Sequence, residues 1–152
     1  MDVLDELKFS FKGDVSNEAW IKDYYSVDSS NYQVYPELVC FPKDEDDIKV
    51  SLSSAIKNGL SISCRGAGTS LLGQSLSNGL VLDFTKYMNK ILDLDLQSNC
   101  VSVQPGVVKG LLDKELRKHN KFLPPNPASS NYCTIGGMVS NNSSGPYGLG
   151  YG

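Results

Sequence analysis

The sequence predicts an α+β protein made of two α/β lobes, a small β-α-β lobe followed by a second mixed lobe. Three observations carry this. A short apolar run covers residues 38–41, an amphipathic stretch with helix-capping signals follows from Asp44 to Gly59, and a second alternating run at 60–64 enters a glycine-rich loop. A strand, a hairpin and another amphipathic stretch come after that loop and supply the second lobe.

In chain order, residues 1–34 make a helical entry segment. Val3, Leu4, Leu7 and Phe11 share one helical face, and Trp20, Ile21, Tyr24 and Tyr25 form a second apolar group beyond the break at Gly13-Asp14. The neighbours of these aromatics are not basic, so they are read as packing residues rather than a platform for bases. Residues 28–36 turn to Ser, Asn, Tyr and Gln and are expected as a surface loop. The strand at 38–41 follows. Asp44 can cap the next helix, and Glu45, Asp46 and Asp47 suit the positive end of its dipole. Ile48, Leu52, Ala55 and Ile56 are expected as its core stripe, and Gly59 as its C-terminal stop. The crossover should lay the strands at 38–41 and 60–64 side by side in parallel.

Asn78-Gly79 turns the chain into a further strand at 80–84. Residues 88–96 and 101–103 are expected as a hairpin across Gln97-Ser-Asn99, and Gln104-Pro-Gly106 breaks it. Residues 107–118 carry Val108, Leu111, Leu112 and Leu116 on one helical face, with Lys114, Arg117 and Lys118 towards the negative end. A short strand at 121–123 precedes Pro124-Pro-Asn-Pro127, which holds the chain extended.

Composition excludes several functions. A net charge of −3 is not that of a nucleic-acid-binding protein, and no apolar run is long enough to span a bilayer. Asp2, Asp5 and Glu6 stand where a secretory signal would be basic, so a cytoplasmic location is the default. Cys40, Cys64, Cys100 and Cys133 form no C-x-x-C pair, which leaves no zinc or iron–sulfur motif and points to buried free thiols. The only histidine, His119, falls near a helix end and is read as structural or exposed. With no G-x-S-x-G either, a serine-hydrolase triad has no support.

The functional signal is the stretch Cys64-Arg-Gly-Ala-Gly-Thr-Ser-Leu-Leu-Gly-Gln74. Glycine lets successive backbone N–H groups converge on one anion, and Arg65 adds a permanent positive charge. It is not a Walker loop, because Gln74 occupies the lysine position, and its glycines do not keep the G-x-G-x-x-G spacing. Alone, such a loop is more often a turn than a ligand site. A second polar glycine cluster spans residues 128–145, where Ile135, Met138 and Val139 are spaced to pack and Gly136-Gly137 permit close backbone contact. Two such loops suit a large ligand with a diphosphate at its middle.

Taken together, Arg65-Gly-Ala-Gly-Thr-Ser-x-x-Gly73-Gln74, Gln104-Pro-Gly106, Pro125-x-Pro-Ala-Ser-Ser130, Thr134-Ile-Gly-Gly137 and Asn141-Asn-Ser-Ser-Gly145 resemble the FAD-binding PCMH-type domain of the vanillyl-alcohol-oxidase type. Within it, the resemblance is to the group of flavoenzymes that holds D-lactate dehydrogenase and the flavin subunit of glycolate oxidase, and Tyr25-Ser-Val-Asp-Ser-Ser-Asn-Tyr32 is similar to that group's entry segment. The resemblance implies a PCMH-type domain over 35–152, incomplete at its C-terminus. It assigns Arg65, Gly66, Ala67, Gly68, Thr69 and Ser70, with Gly73 and Gln74, to the FAD pyrophosphate. Ala128, Ser129, Ser130 and Thr134 fall along the flavin and ribityl side, and Gly136, Gly137, Asn141, Asn142 and Ser144 complete the wall. Thr69 stands where covalent members carry a flavin-linked histidine, which implies non-covalent FAD. Cys133 lies near a flavin-linked cysteine of distant members, but offset and without the histidine partner.

The implied reaction is hydride transfer from a D-2-hydroxy acid, lactate- or glycolate-like, to FAD. The chain ends at Gly152, before the substrate-binding cap of that family, so it is expected to be an amino-terminal fragment, a truncated gene product or one piece of a split enzyme, and no residue is nominated as catalytic. The implied partners are FAD, a small 2-hydroxy acid in the complete enzyme, and a downstream cap or an iron–sulfur partner. The competing readings are a non-catalytic module for FAD or another diphosphate ligand, and an inactive remnant.

Overall fold

The computed structural model describes residues 2–151; Met1 and Gly152, the outer ends of the two expected segments, lie outside them. The elements are α1 (Val3–Ser10), β1 (Asp14–Ser16), α2 (Ala19–Tyr25), β2 (Leu38–Phe41), α3 (Glu45–Asn58), β3 (Ile62–Arg65), β4 (Leu80–Asp83), β5 (Ile91–Asp95), β6 (Cys100–Val103), α4 (Lys109–Arg117), α5 (Ile135–Ser140) and α6 (Gly148–Tyr151).

A four-stranded sheet has the order β1-β2-β4-β3, with β1 antiparallel to β2 and the other neighbours parallel. The expected β-α-β unit is present, but its two strands are not side by side, because β4 lies between them. Every residue of β4 is buried, as suits a strand covered on both faces, whereas the mixed burial of β3 suits an edge. The chain before β2 is also not purely helical: β1 pairs along β2, Asp14 opposite Phe41. At the turn into β1, a Cβ on Gly13 would stand 2.0 Å from the Phe41 carbonyl oxygen, so only glycine fits.

α3 begins as expected, with the Asp44 side chain accepting from the N–H groups of Asp46 and Asp47, and stops at Gly59 with φ 64°. Its rotation differs from the expected stripe. Leu52 and Ile56 are exposed, while Asp47, Ser51, Ser54 and Ala55 are buried. Asp47 fixes this face: its carboxylate accepts from the backbone N–H groups of Lys12 at 2.7 Å, Gly13 at 3.0 Å and Lys43 at 2.8 Å. Three donors at one buried carboxylate outweigh the burial of two aliphatic side chains.

Leu7, Phe11, Leu38, Cys40, Leu80, Leu82, Phe84 and Met88 form the core of the first lobe. The second lobe has its own, Val107, Leu112 and Leu116 packed by Leu94, Val101, Val103, Leu123 and Ile135. The β5–β6 hairpin supplies part of that core. Leu111 faces solvent, and Val108 sits at the N-cap of α4. Residues 121–123 form no strand, since the Leu123 N–H donates to the Asp113 carboxylate rather than to a neighbouring chain. Cys40 and Cys133 are buried as expected, whereas Cys64 and Cys100 point outward from strands with one open face. Met138 packs and Val139 does not, because residues 135–140 form a helix, in which adjacent side chains diverge. No helix among the described residues is long and apolar enough to cross a membrane.

Candidate functional site

β3 delivers Arg65 into the protein at the mouth of the glycine loop. The side chain is 6% exposed, and its Nη1 has no hydrogen-bond partner among the described residues. The guanidinium lies over the Tyr25 ring, 5.0 Å from its centroid. Gly68, with φ 66°, folds the loop directly onto it, so that a Cβ there would stand 2.6 Å from Arg65 Nη2. No hydrogen-bond partner within the described protein takes up the N–H groups of Gly66, Ala67, Gly68 and Thr69. Four unpaired amides and one unsatisfied guanidinium nitrogen therefore share one small region.

The far end of the loop is braced. Ser70 Oγ donates to the Gln74 side-chain oxygen and accepts from the Gln74 N–H at 3.2 Å, while Gly73 turns with φ 76° against Tyr32. The entry segment holds the loop from outside. The Ser29 N–H donates to the Gly68 carbonyl at 3.0 Å, and Ser75 Oγ donates to Asp28 at 3.0 Å. Burial acts to raise the Asp28 pKa, yet hydrogen bonds from Ser30 and Ser75 and the charge of Arg65 hold it below the ordinary value. Tyr25 Oη donates to Asp83 Oδ2 at 2.6 Å, and burial together with that bond pushes its pKa far up.

Across from the loop stands the segment leading into α5. Thr134 caps α5 by accepting from the Gly137 N–H at 3.3 Å, while the Ile135 and Gly136 N–H groups donate to the carbonyls of Val107 and Pro105. The first turn of α5 thus spends its donors within the protein, and its glycines contribute shape. A Cβ on Gly136 would stand 2.8 Å from Pro105, and one on Gly66 would stand 2.2 Å from Thr134 Oγ1. The two glycine segments touch at that point.

Between them lies a cleft of about 540 Å³, within the range of small-molecule sites. Of the residues singled out in the sequence, Arg65, Gly66, Ala67, Gly68, Thr69, Ser70, Gln74, Ser129, Thr134, Gly136, Gly137 and Asn141 line it. Gly73, Ala128, Ser130, Asn142 and Ser144 do not. Gly73 acts in the loop turn, and the Ser130 carbonyl accepts from the Gly110 N–H. Sequence reasoning missed Cys64, Leu71, Leu72, Ser75, Phe84, Pro105, Met138, Ser140 and Ser143 as lining residues. Leu71 and Leu72 are exposed apolar side chains beside the polar loop, a signal that the sequence did carry. Cys133, set apart on its offset, lines the cleft as a buried residue.

The orphaned guanidinium nitrogen and the free loop amides fit an anionic group such as a diphosphate. Comparison with known proteins agrees. Residues 36–152 match the family described as the FAD binding domain. The chain is 36% identical over its whole length to D-2-hydroxyglutarate dehydrogenase of Haemophilus influenzae, and spans 15% of that protein. It is 38% identical over 84% of its length to glycolate oxidase subunit GlcD of Bacillus subtilis, of which it spans 28%. In fold it is similar to alkyldihydroxyacetonephosphate synthase, with a TM-score of 0.82 and 24% identity over 96% of this chain and 31% of that one. From the match across most of its length and the PCMH-type fold that it shares, the chain belongs to the FAD-binding domain family.

Proposed function

We propose that the cleft holds FAD without a covalent bond, and that the chain is the FAD-binding portion of a flavin-dependent oxidoreductase acting on a D-2-hydroxy acid. The observation that carries this is the set of unpaired N–H groups at Gly66–Thr69 beside the unsatisfied Nη1 of Arg65. An anion bridging them satisfies the buried Arg65 Nη1, which is otherwise costly to leave unpaired, and draws on the open loop amides beside it. Residues 35–152 form the cofactor domain on this reading, and residues 1–34 brace its loop through Tyr25, Asp28 and Ser29.

FAD supplies a two-electron acceptor when bound. The chain's own residues bind and orient it. Arg65 and the amides of Gly66, Ala67, Gly68 and Thr69 hold the pyrophosphate, with Ser70, Gly73 and Gln74 fixing the loop. Ser129, Thr134, Gly136, Gly137 and Asn141 shape the opposite wall. Thr69 offers no group that bonds a flavin ring, in keeping with reversible binding. The 2-hydroxy acid reading rests on the names of the relatives, D-2-hydroxyglutarate dehydrogenase and glycolate oxidase subunit GlcD; in it, a cap domain or partner outside this chain would bind the substrate. A cytoplasmic location goes with it.

Titration of the chain with FAD, followed by absorbance and flavin fluorescence with FMN and NAD as controls, tests the reading. Saturable binding of FAD alone is expected, released intact by acid precipitation. Arg65→Ala should weaken it by roughly 10- to 100-fold, the equivalent of one charge-assisted hydrogen bond. Wild-type affinity in a folded Arg65→Ala variant removes Arg65 from the site.

A further inference from the structure

Arg65 and Asp83 are partners in register on β3 and β4, and both are buried, yet no carboxylate lies within salt-bridge distance of the guanidinium among the described residues. A buried arginine beside a buried aspartate normally pairs with it, because an isolated charge in such a place is costly. Something keeps these two apart. Asp83 is fully engaged elsewhere: Oδ1 accepts from the Thr85 N–H and Thr85 Oγ1, both at 2.6 Å, and Oδ2 accepts from Tyr25 Oη at 2.6 Å. The same tyrosine presents its ring face to the Arg65 guanidinium. One side chain thus takes the anion on its hydroxyl and the cation on its ring.

We infer that Tyr25 is a positioning residue for the diphosphate site: its hydroxyl occupies the Asp83 carboxylate so that Arg65 stays unpaired and available to an anionic ligand. The inference rests on the proposed FAD reading for the identity of that ligand, but the Arg65–Asp83 relation can be observed without it. When the hydroxyl is removed, Asp83 Oδ2 loses its donor and becomes a competitor for Arg65 within reach of the same ring. When Asp83 is made neutral, that competitor disappears whatever stands at position 25, while Asp28, whose carboxylate also feels the Arg65 charge, is the same in every variant.

The test uses the full chain with Tyr25→Phe, Asp83→Asn and the double variant, each checked for folding by circular dichroism. Crystal structures without ligand give the distance from Arg65 to the side chain at position 83, and FAD titration gives affinity. Tyr25→Phe is expected to bring Arg65 into a salt bridge with Asp83 and to weaken FAD by about tenfold or more. The Tyr25→Phe/Asp83→Asn variant, in which the amide oxygen at position 83 can still accept from Thr85, is expected to recover most of the affinity, a rescue that a purely packing role for Tyr25 does not give. Arg65 remaining unpaired in Tyr25→Phe, or no recovery in the folded double variant, overturns the inference. Failure of the unmodified chain to bind FAD instead overturns the cofactor reading, while the crystallographic distances still decide whether Tyr25 keeps the two charges apart.

Discussion

Gly66 and Thr134 meet backbone to side chain across the cleft, at a separation where a Cβ on Gly66 would lie 2.2 Å from Thr134 Oγ1. The same hydroxyl caps α5, so it cannot swing away without releasing the Gly137 N–H. Gly66→Ala should therefore cost about 1–3 kcal/mol of stability and weaken FAD binding. Adding Thr134→Ala should return part of that stability, less the roughly 1 kcal/mol of the lost cap. Urea denaturation of both variants checks this, and a Gly66→Ala midpoint equal to wild type would show that the segments do not touch.

Lys109 is almost wholly buried in α4, where Nζ donates to the Asp113 carboxylate and, at 3.0 Å, to the Asn126 side-chain oxygen. Asp113 in turn accepts from the Leu123 N–H, so the pair ties the proline segment to the helix before the chain reaches Ser129. Lys109→Met alone leaves a buried carboxylate without its counter-ion and should cost about 3–5 kcal/mol. Lys109→Met with Asp113→Leu should recover much of it. Equal losses in the single and double variants would contradict a dominant charge effect.

Acid should act through Asp14 and Asp28. Hydrogen bonds from Lys86 and Tyr87 lower the Asp14 pKa below 3.8, and Ser30, Ser75 and Arg65 do the same for Asp28 against the effect of burial. Depressed values in the folded state mean that their stabilisation is present above pH 3.8 and is lost as the pH falls through the folded values. Thermal midpoints should hold steady near neutrality and drop below about pH 4. Asp14→Asn/Asp28→Asn should flatten that drop; an unchanged acid limb would assign it to other carboxylates.

The thiols should separate by rate. Cys100 is exposed and should react first with a disulfide reagent, whereas burial pushes the Cys40 thiol up to about 12 and should leave it inert until the chain unfolds. Cys64 opens to the cleft, with its pKa raised by burial, and should react slowly. Saturating FAD should slow Cys64 further and leave Cys100 untouched. Mass-spectrometric mapping of labelled peptides reads each rate, and protection of Cys100 would place the ligand elsewhere.

Much of the architecture was legible because it rests on local signals. Asp44 and Gly59 mark both ends of α3, Asn99 sits at a positive φ within the hairpin turn, and the loop glycines turn where their spacing required. What escaped the sequence depends on partners distant in the chain. The place of β4 between β2 and β3 follows from burial on both faces, and the rotation of α3 follows from donors on Lys12 and Gly13, some 35 residues before Asp47. In the site, motif spacing located both glycine segments. It could not show that the N–H groups of the second are already taken by Pro105 and Val107, nor that Tyr25 contacts both Arg65 and Asp83.

The strand order also carries a consequence for biosynthesis. β2 and β3 leave the ribosome before β4, yet β3 pairs with β4 alone, so the nascent edge strand has no ladder partner until the loop and residues 80–83 have been made. During that interval the loop is an open, glycine-rich tether whose closure must precede the central pairing, a long-range step of the kind that slows folding. A ligand that gathers the loop amides would shorten the search for that pairing. On the proposed FAD reading, supplying the cofactor during synthesis should raise the yield of folded chain.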